Sequence, residues 1–231
     1  MIEEPPVLTI VRNRPRPTEA QIAAFRGIST GYLCDAMAGQ GALDTAIAPV
    51  GGPAPGLHMV GPALVAENGP ADIMATLAAI GLAQPGDVVL GAVSGFQGAA
   101  AAGDLVMAML KNAGAAGFVT DGPMRDLEGI LEVGLPAWCT GLNPNSPYGN
   151  GPGRVGGAAM IGGVRVATGD IVVADSNGVV VVPRDRIDAV IAAVGKVRTL
   201  EEELETKVRA GFRAPLDLET MVTTGKAVEV D

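Results

Sequence analysis

Histidine is almost missing from this sequence, in which His58 is the only one among 231 residues. A single histidine excludes a zinc site built from several histidines and argues against a Ser-His-Asp triad. We expect His58, in the stretch PGLHMVGPA, to have a structural role. The two cysteines, Cys34 and Cys139, lie far apart without a Cys-x-x-Cys spacing. They are therefore predicted to be buried thiols in a reducing compartment, and a catalytic thiol is not expected.

Positive charge and long apolar runs are also scarce. The 16 lysines and arginines face 25 aspartates and glutamates, and the formal net charge of −9 argues against a nucleic-acid-binding surface. No apolar run reaches the roughly 18 to 20 residues of a membrane-spanning helix. The N-terminal MIEEPPVLTIVRNRPRP lacks the basic and then apolar order of a signal peptide. The sequence predicts a cytoplasmic protein that binds neither nucleic acid nor a membrane.

Small aliphatic residues are what the sequence has in abundance. Hydrophobic residues make up 48% of it, glycine accounts for 33 positions, and aromatic residues for only 3%. This mixture suits helices packed closely on a sheet, so we predict one large α/β domain. Residues 87 to 139 follow the order strand, helix, strand, helix, strand, in DVVLGAV, DLVMAMLKNAG, GFVT, DLEGILEVG and LPAWC. Right-handed crossovers would make these three strands parallel.

The two ends of the chain differ from this central pattern. Thr18 and either Ser29 or Thr30 are candidate N-caps of N-terminal helices. Towards the other end, an Asn-Gly pair at 177–178 between valine-rich runs predicts a β-hairpin, and a charged helix follows it. We divide the chain into an N-terminal arm and helix (residues 1–26), a core domain (27–183), and a C-terminal helix and tail (184–231).

Charged residues gather where these predicted strands end. Asp104 follows the first of the three parallel strands after a glycine-rich loop, and Arg125 and Asp126 follow the second strand. The carboxyl ends of parallel strands lie along one edge of a sheet, where ligands bind, so we expect these three side chains to face one another. Amides at the start of the helix that begins near Asp104 favour a carboxylate or phosphate. Two carboxylates and a guanidinium suit a hard divalent cation with an anionic substrate.

A simpler interpretation is that the aspartates cap helices. Aspartate is a common N-cap residue, and Asp104 and Asp126 both stand where a cap belongs, while Asp121 lies at another such boundary. A site is favoured by Arg125, which precedes Asp126 in a Gly-Pro turn at the same predicted edge. The two roles are compatible, because a capping carboxylate can present its other oxygen to a cation.

The same segment resembles a known signature. DGPMRD, preceded by Asp104, has the Asp-x20-Arg-Asp pattern of divalent-metal pyruvate aldolases that act on 4-hydroxy-4-methyl-2-oxoglutarate and 4-carboxy-4-hydroxy-2-oxoadipate. These aldolases share their fold with the RraA-type regulators of ribonuclease E activity. The stretches PGDVVL, NPNSP, GPG and GGVRVATGDIVVADSNGVVVVP are similar to the same superfamily, and the likeness covers roughly residues 27–211. It implies a three-layer β/β/α swivelling-domain (RraA-like) core with N-terminal helices and a C-terminal helix, assembled as a homotrimer or homohexamer with active sites between subunits.

The resemblance also implies roles for individual residues. Asp126 would bind Mg²⁺ or Mn²⁺, Asp104 would hold metal-bound water, and Arg125 would contact the keto or enolate oxygen of a pyruvyl unit. A glutamate of the C-terminal helix would reach the site of the neighbouring subunit. The candidates for this glutamate are Glu201, Glu202, Glu203 and Glu205, with Glu201 or Glu202 preferred.

Four further residues are candidates for the site. Asp35, in STGYLCDAM, matches an acidic position near such sites in the family and is a candidate catalytic residue. Gly103, Asp72 and Leu105 are candidates for substrate binding, as are Asp104 and Arg125 themselves.

Two positions depart from the family pattern. Where the aldolases tend to carry Asp-Asn and then a histidine four residues on, this chain has Asp72-Ile73 and then Leu77. The missing asparagine is implicated in holding a substrate carboxylate, so this departure bears on substrate identity. The acidic residue expected three places after the second motif aspartate is Gly129, and Glu128 stands one place early.

The residue types fit carbon–carbon bond cleavage. Retro-aldol cleavage of a 4-hydroxy-2-oxo acid and decarboxylation of oxaloacetate both pass through enolpyruvate, so both need an electron sink at C2. A divalent metal chelated by the 2-keto oxygen and carboxylate is such a Lewis acid, and Arg125 adds positive charge where negative charge develops. An acidic residue or metal-bound water takes the proton from the 4-hydroxyl. We therefore predict a class II aldolase, a carbon–carbon lyase that needs no histidine, with oxaloacetate decarboxylase activity.

Three other functions fit the sequence less well than a class II aldolase. A non-catalytic, protein-binding regulator of a ribonuclease is the main alternative, although such regulators are shorter and this chain has a long acidic C-terminal helix. A Schiff-base aldolase would need a buried lysine, whereas the four lysines lie mostly on helix-like surfaces. The methyltransferase label sometimes attached to this family finds no support, because no G-x-G turn joins a strand to a helix.

Overall fold

In the computed structural model, residues 6–230 are described, and the first five residues of the predicted N-terminal arm lie outside this range. In chain order the strands are β1 (Leu8–Ile10), β2 (Ala48–Pro49), β3 (His58–Glu67), β4 (Val88–Ala92), β5 (Gly117–Thr120), β6 (Ala137–Cys139), β7 (Gly153–Val155), β8 (Ala158–Ile161), β9 (Val164–Ala167), β10 (Ile171–Asp175) and β11 (Gly178–Val182). The helices are α1 (Glu19–Ala23), α2 (Thr30–Ala36), α3 (Met74–Ile80), α4 (Asp104–Asn112), α5 (Leu127–Val133), α6 (Ile187–Arg209) and α7 (Leu218–Thr223), and a 3-10 turn at Arg184–Arg186 precedes α6.

The main sheet has the strand order β1-β7-β3-β4-β5-β6-β2. Neighbours from β3 to β6 run parallel, as the β-α-β-α-β pattern predicted. Strand β3 serves two sheets: its second half pairs parallel with β4 from Ala63 onward, and its first half pairs antiparallel with β10, where Pro62 lies opposite Ile171. The ten residues of β3 therefore join the main sheet to the β10–β11 hairpin.

Alternation along the strands builds the hydrophobic cores. Successive residues of a strand point to opposite faces. In β3, Val65 joins a core between the two sheets, whereas Leu64 joins a core between the main sheet and α3 to α5. In β10, Val172 faces the inter-sheet core, and Val173 packs with residues of α1, α2 and the start of α6. The layers are thus helix, sheet and sheet, which confirms the predicted β/β/α core, and α1, α2 and the start of α6 cover the outer face of the hairpin.

Capping residues and a turn signal in the sequence explain where two helices begin and where the hairpin turns. The Thr18 side chain accepts a hydrogen bond from the backbone N–H of Gln21 and caps α1, and Ser29 caps α2 through the N–H of Tyr32. Both caps were predicted, and so was the hairpin, in which Asp175 pairs with Gly178. Helix α7 was not predicted from the sequence.

Two compact units divide the chain, one up to Val194 and the other from Gly195 onward. In the first unit, the start of α6 buries Ile187, Val190 and Val194. In the second, the rest of α6 is exposed apart from the half-buried Val197. The three-part division proposed from the sequence stays a prediction.

The single histidine and the two cysteines are each buried or half-buried in the fold. Nε2 of His58 lies 3.1 Å from the carbonyl oxygen of Ile28, in keeping with the structural role expected for it. Cys34 and Cys139 are free thiols; Cys139 is buried and Cys34 half-buried. Burial raises the pKa of both thiols. Within residues 6–230, every helix is too short or too polar to cross a lipid bilayer.

Candidate active site

The loops that follow β4 and β5 run side by side at the carboxyl edge of the sheet. The N–H of Ala101 donates to the carbonyl of Pro123 at 2.7 Å, and the N–H of Arg125 donates to the carbonyl of Ala102 at 3.1 Å. These backbone bonds continue the parallel pairing of the strands into the loops. They place the start of α4 beside the turn that leads into α5, as expected from the topology.

A cleft of about 70 Å³ opens between these two loops. Five of the residues singled out from the sequence line it: Gly103, Asp104, Leu105, Arg125 and Asp126. The predicted convergence of the three charged side chains on one cleft is thus present within a single chain. The remaining lining is apolar and comes from Ile73, Ala102, Val106 and Pro147.

Asp126 has a backbone conformation that directs its side chain into the cleft. Its φ of 62° and ψ of 47° are left-handed, which is uncommon for a residue with a side chain and clusters at functional sites. Asp126 precedes α5 but makes no capping hydrogen bond, so the capping interpretation was wrong for this residue. An N-cap residue needs extended φ and ψ to turn its side chain back to the helix. The carboxylate lies instead against Gly103, where a Cβ would stand 2.5 Å from Oδ2.

Arg125 is held from two sides. Its Nε lies 3.3 Å from Oδ2 of Asp126, and its Nη1 donates to the hydroxyl of Ser146. The side chains of Arg125 and Asp126 are 36% and 44% exposed, and an ion pair this accessible adds little to stability. The contacts therefore fix the direction of the guanidinium rather than hold the fold together.

Asp104 is the first residue of α4, after Gly103 in the N-cap position. Its Oδ1 accepts a hydrogen bond from the N–H of Leu105 at 2.7 Å, so this amide, a candidate for substrate binding, is engaged within the chain. Its Oδ2 lies over Gly129 of α5. Asp104 therefore does not occupy the N-cap position that the capping interpretation gave it.

Asp121 and Asp72 are held by backbone amides. Asp121 is buried and accepts from the N–H groups of Val93 and Gly95 at 2.8 and 2.9 Å, so it shapes the loop after β4. Asp72 is also buried, and its two oxygens accept from three backbone N–H groups, those of Met74, Asn150 and Gly151. These contacts favour a structural role for Asp72, and its contact with a substrate stays a prediction.

Two residues next to the site were not singled out from the sequence. Asn68 is buried and caps α3, because its Oδ1 accepts from the N–H groups of Ala75 and Thr76 at 2.8 and 3.2 Å. Its Asn-Gly-Pro sequence predicts a turn ahead of the helix but not the cap itself, because Asn68 lies seven residues before Ala75. Ser146, the partner of Arg125, lies in NPNSP, a stretch noted only for its resemblance to the superfamily.

The other predicted site residues lie elsewhere. Asp35 is exposed on α2, and the described lining of the cleft includes neither Asp35 nor Asp72. Glu201 and Glu202 belong to the second compact unit, where Glu202 accepts from Nε of Arg198 at 2.8 Å. A role for Asp35, Glu201 or Glu202 in catalysis stays a prediction.

The carboxylates of the cleft suit some cations better than others. Residues 6–230 contain no group of three or more His, Cys, Asp or Glu side chains able to hold a metal ion, which argues against a closed zinc-type site. Mg²⁺ behaves differently, because it keeps several waters and binds proteins through one or two carboxylates. Among the described residues, nothing hydrogen-bonds to Oδ1 of Asp126, and Asp104 lines the same cleft. The donor set fits a hard, largely hydrated divalent cation.

Comparison with known proteins places the chain in a family. The family model RraA-like, described as Aldolase/RraA, matches residues 30–181. The chain belongs to the RraA-like family. A relative from Halalkalibacterium halodurans, named "Putative 4-hydroxy-4-methyl-2-oxoglutarate aldolase", is 33% identical over 187 residues, which cover 81% of this chain and 88% of the relative.

Solved structures share the RraA-like fold. RraAS2 of Streptomyces coelicolor, described as an unusual member of the RNase ES inhibitor RraA protein family, superposes with a TM-score of 0.73 and 26% identity, over 83% of this chain and all of that one. An uncharacterized protein from Pseudomonas syringae pv. tomato superposes with a TM-score of 0.76 at 24% identity, over 92% of this chain and 97% of that one, and shows the fold alone. The fold is confirmed, and the Halalkalibacterium relative supports an aldolase, that is, a lyase.

Proposed function

We propose that this RraA-like protein is a divalent-metal-dependent pyruvate aldolase. It would cleave a 4-hydroxy-2-oxo acid to pyruvate and a carbonyl compound, and would also decarboxylate oxaloacetate through the same enolpyruvate. The observation that carries the proposal is the convergence of Asp104, Arg125 and Asp126 on one cleft at the start of α4.

Arg125 would stabilise the negative charge that develops in the reaction. When the C3–C4 bond breaks, its electron pair moves towards C2 and the 2-keto oxygen becomes an enolate. The guanidinium of Arg125, oriented by Ser146 and Asp126, would donate to this oxygen. A preorganised donor of this kind usually supplies about two to three orders of magnitude in rate.

The start of α4 would receive the substrate carboxylate. The first amides of a helix have no partner within the helix, and the helix dipole favours an anion at that end. Gly103 lines the cleft without a side chain, so its backbone forms part of the cleft wall. The amide of Leu105 would have to exchange its hydrogen bond to Asp104 for one to the substrate.

Asp126 and Asp104 would hold Mg²⁺ or Mn²⁺. The bound cation would supply Lewis acidity at the 2-keto oxygen. Asp104, at the cleft wall, would take the proton of the 4-hydroxyl, directly or through a water, as that hydroxyl becomes the carbonyl of the second product. Return of this proton to C3, directly or through the water, would then complete pyruvate.

The assembly belongs to the same proposal. We propose a homotrimer or homohexamer in which Glu201 or Glu202 of one subunit reaches the cleft of its neighbour. Sedimentation would test the assembly, and Glu201→Gln and Glu202→Gln variants would show which glutamate takes part in the reaction.

A ribonuclease regulator is the alternative, and the likeness to RraAS2 is the observation in its favour. Such a protein would act through its surface and would need no charged constellation in a cleft. The two functions differ in one outcome, because a regulator would form no pyruvate from any 2-oxo acid.

The proposal is tested by pyruvate release from oxaloacetate and from a 4-hydroxy-2-oxo diacid, with Mg²⁺ or Mn²⁺ and then with a chelator. We expect turnover that the chelator abolishes and that Arg125→Ala lowers by about a hundredfold or more, the usual cost of losing such a donor. Arg26→Ala is the matched control, because Arg26 pairs with Glu19 on the surface. Absence of metal-dependent turnover on both substrates, or an Arg125→Ala variant as active as Arg26→Ala, would refute the aldolase.

A further inference from the structure

A second group of arginines lies at the amino edge of the parallel strands, opposite the cleft. After β1, the arm passes Arg12, Arg14 and Arg16 and crosses in front of Asp87, the residue that precedes β4. The arm packs closely here, since a Cβ on Gly169 would stand 2.5 Å from the carbonyl oxygen of Pro15. Its path is therefore fixed by the core.

The three arginines line a cavity of about 270 Å³. Asp87 is the one carboxylate in its lining, and Gln84 and Thr168 add polar groups. The Thr168 hydroxyl oxygen accepts from the N–H of Val65 at 3.1 Å, so its proton remains available as a donor. In a chain with a net charge of −9, this cavity has an excess of positive charge.

Structural contacts account for two of the three arginines. Arg14 lies 3.5 Å from Oδ2 of Asp87 and donates to the carbonyl of Leu82 at 2.8 Å. Arg16 pairs with Oδ1 of Asp87 and donates to the carbonyl of Pro85 at 2.9 Å. These bonds anchor the arm, and they use only some of the five N–H donors that each guanidinium carries.

The contacts leave the charge unbalanced. Asp87 is 1% exposed, accepts hydrogen bonds from Arg16 and the N–H of Gln84, and forms an ion pair with Arg14. Arg12 has no partner among residues 6–230, and the side chain of Arg14 is only 14% exposed. Guanidinium groups that are partly withdrawn from water are stable when anions balance them. One carboxylate against three guanidiniums leaves room for about two more negative charges.

We propose that this cavity binds a compact dianion that carries a phosphate or paired carboxylates. Planar guanidiniums bind both groups through paired hydrogen bonds, and the cavity volume limits the ligand to a small molecule. The site is distinct from the cleft at the other edge of the sheet, and it does not depend on the aldolase proposal.

The test is calorimetric titration of the full-length protein, free of divalent metal, with inorganic phosphate and separately with succinate, at an ionic strength held constant with chloride. We expect saturable binding of at least one of the two anions, which identifies the preferred group. Arg12→Gln should weaken this binding about tenfold, the size of one charge-assisted hydrogen bond. Arg26→Gln, the matched surface control, and Arg125→Ala, in the cleft, should each stay within about twofold of the wild type, because neither lines this cavity.

Three results would overturn the proposal: no saturable binding of either anion, an unchanged affinity in Arg12→Gln, or loss of binding in Arg125→Ala, which would assign the anion to the cleft. Arg12 is exposed, so its substitution should leave the melting temperature unchanged. Weaker binding in Arg12→Gln would then reflect the lost guanidinium and not unfolding.

Discussion

Asp104 lies against the bare Cα of Gly129. A Cβ on Gly129 would stand 2.6 Å from Oδ2 of Asp104 and 2.8 Å from its Cβ, closer than real atoms approach. Gly129 is the position where the aldolases are expected to carry an acidic residue. In this chain the space is taken by the carboxylate of Asp104 itself, so Gly129 helps to position a residue of the cleft.

Gly129→Ala should therefore lower kcat about tenfold or more, since small displacements of a reacting group are costly. Alanine is the better helix former by roughly 1 kcal/mol, which offsets part of the steric cost of the clash, so the loss of kcat should exceed what any loss of stability explains. Both kcat and the melting temperature are measured for the variant and the wild type. Gly195→Ala in α6 is the matched control, because a Cβ there meets nothing within 4 Å. An unchanged kcat in Gly129→Ala would contradict the role given to Asp104.

Ser146→Ala should reduce kcat severalfold with little change in stability. The substitution removes the hydroxyl that accepts from Nη1 of Arg125 and leaves the guanidinium without one of its two supports. Ser146→Thr, which keeps a hydroxyl, should recover most of the activity. Equal activity in all three proteins would show that Ser146 does not position Arg125.

Ile73→Asn should change which substrate is preferred. Ile73 lines the cleft at the position where the aldolases tend to carry an asparagine implicated in holding a substrate carboxylate. Adding an amide there should raise the ratio of kcat/KM for a 4-hydroxy-2-oxo diacid over an alkyl-substituted monoacid by about tenfold, the size of one hydrogen bond to a charged group. Leu77→Asn, outside the lining, should leave the ratio unchanged. A ratio that moves equally in both variants would remove Ile73 from the substrate site.

Asp175 should make stability depend on pH. Its carboxylate accepts from the N–H and hydroxyl of Thr30 at 2.9 and 2.8 Å and so ties α2 to β10. Burial acts to raise the pKa of Asp175, but hydrogen bonds from Thr30 and Asn177 outweigh it and lower the pKa below the ordinary value. The folded pKa is depressed, so the stabilisation is present above the unfolded pKa and is lost as pH falls through the folded pKa.

Asp175→Asn should accordingly lower the free energy of unfolding at neutral pH by about 1–3 kcal/mol. The gap between variant and wild type should begin to narrow as the pH falls below the ordinary aspartate pKa of about 4, and it should close as the pH falls through the lower folded pKa. Urea unfolding at several pH values measures both. A gap that stays constant down to pH ~2 would show that the charge of Asp175 is not what stabilises the fold.

The order of strands and helices made the position of the cleft predictable. The carboxyl ends of parallel strands lie at one edge, so Asp104 and Arg125, 21 positions apart in the chain, return to the same place. The roles of Asp121 and Asp126 could not be separated in this way. Both follow β5, and only the path of the loop sends one to buried amides and the other, through a left-handed backbone, to the cleft.

Other features depend on information outside the local pattern. Asn68 caps α3 from seven residues before Ala75, a spacing that ordinary capping rules do not include. The choice between Glu201 and Glu202 depends on a second chain. The excess of arginines at Asp87 required the arm and the start of β4 to be seen together, since Arg16 and Asp87 lie 71 positions apart.

The most direct test of the central claim is deuterium exchange into the methyl group of pyruvate, followed by NMR. Exchange reports formation of enolpyruvate without any need to know the natural substrate. We predict exchange that requires Mg²⁺ or Mn²⁺, stops with a chelator, falls about a hundredfold or more in Arg125→Ala and persists in Arg26→Ala. Exchange in Arg125→Ala at the wild-type rate, or no exchange with either metal, would contradict the account.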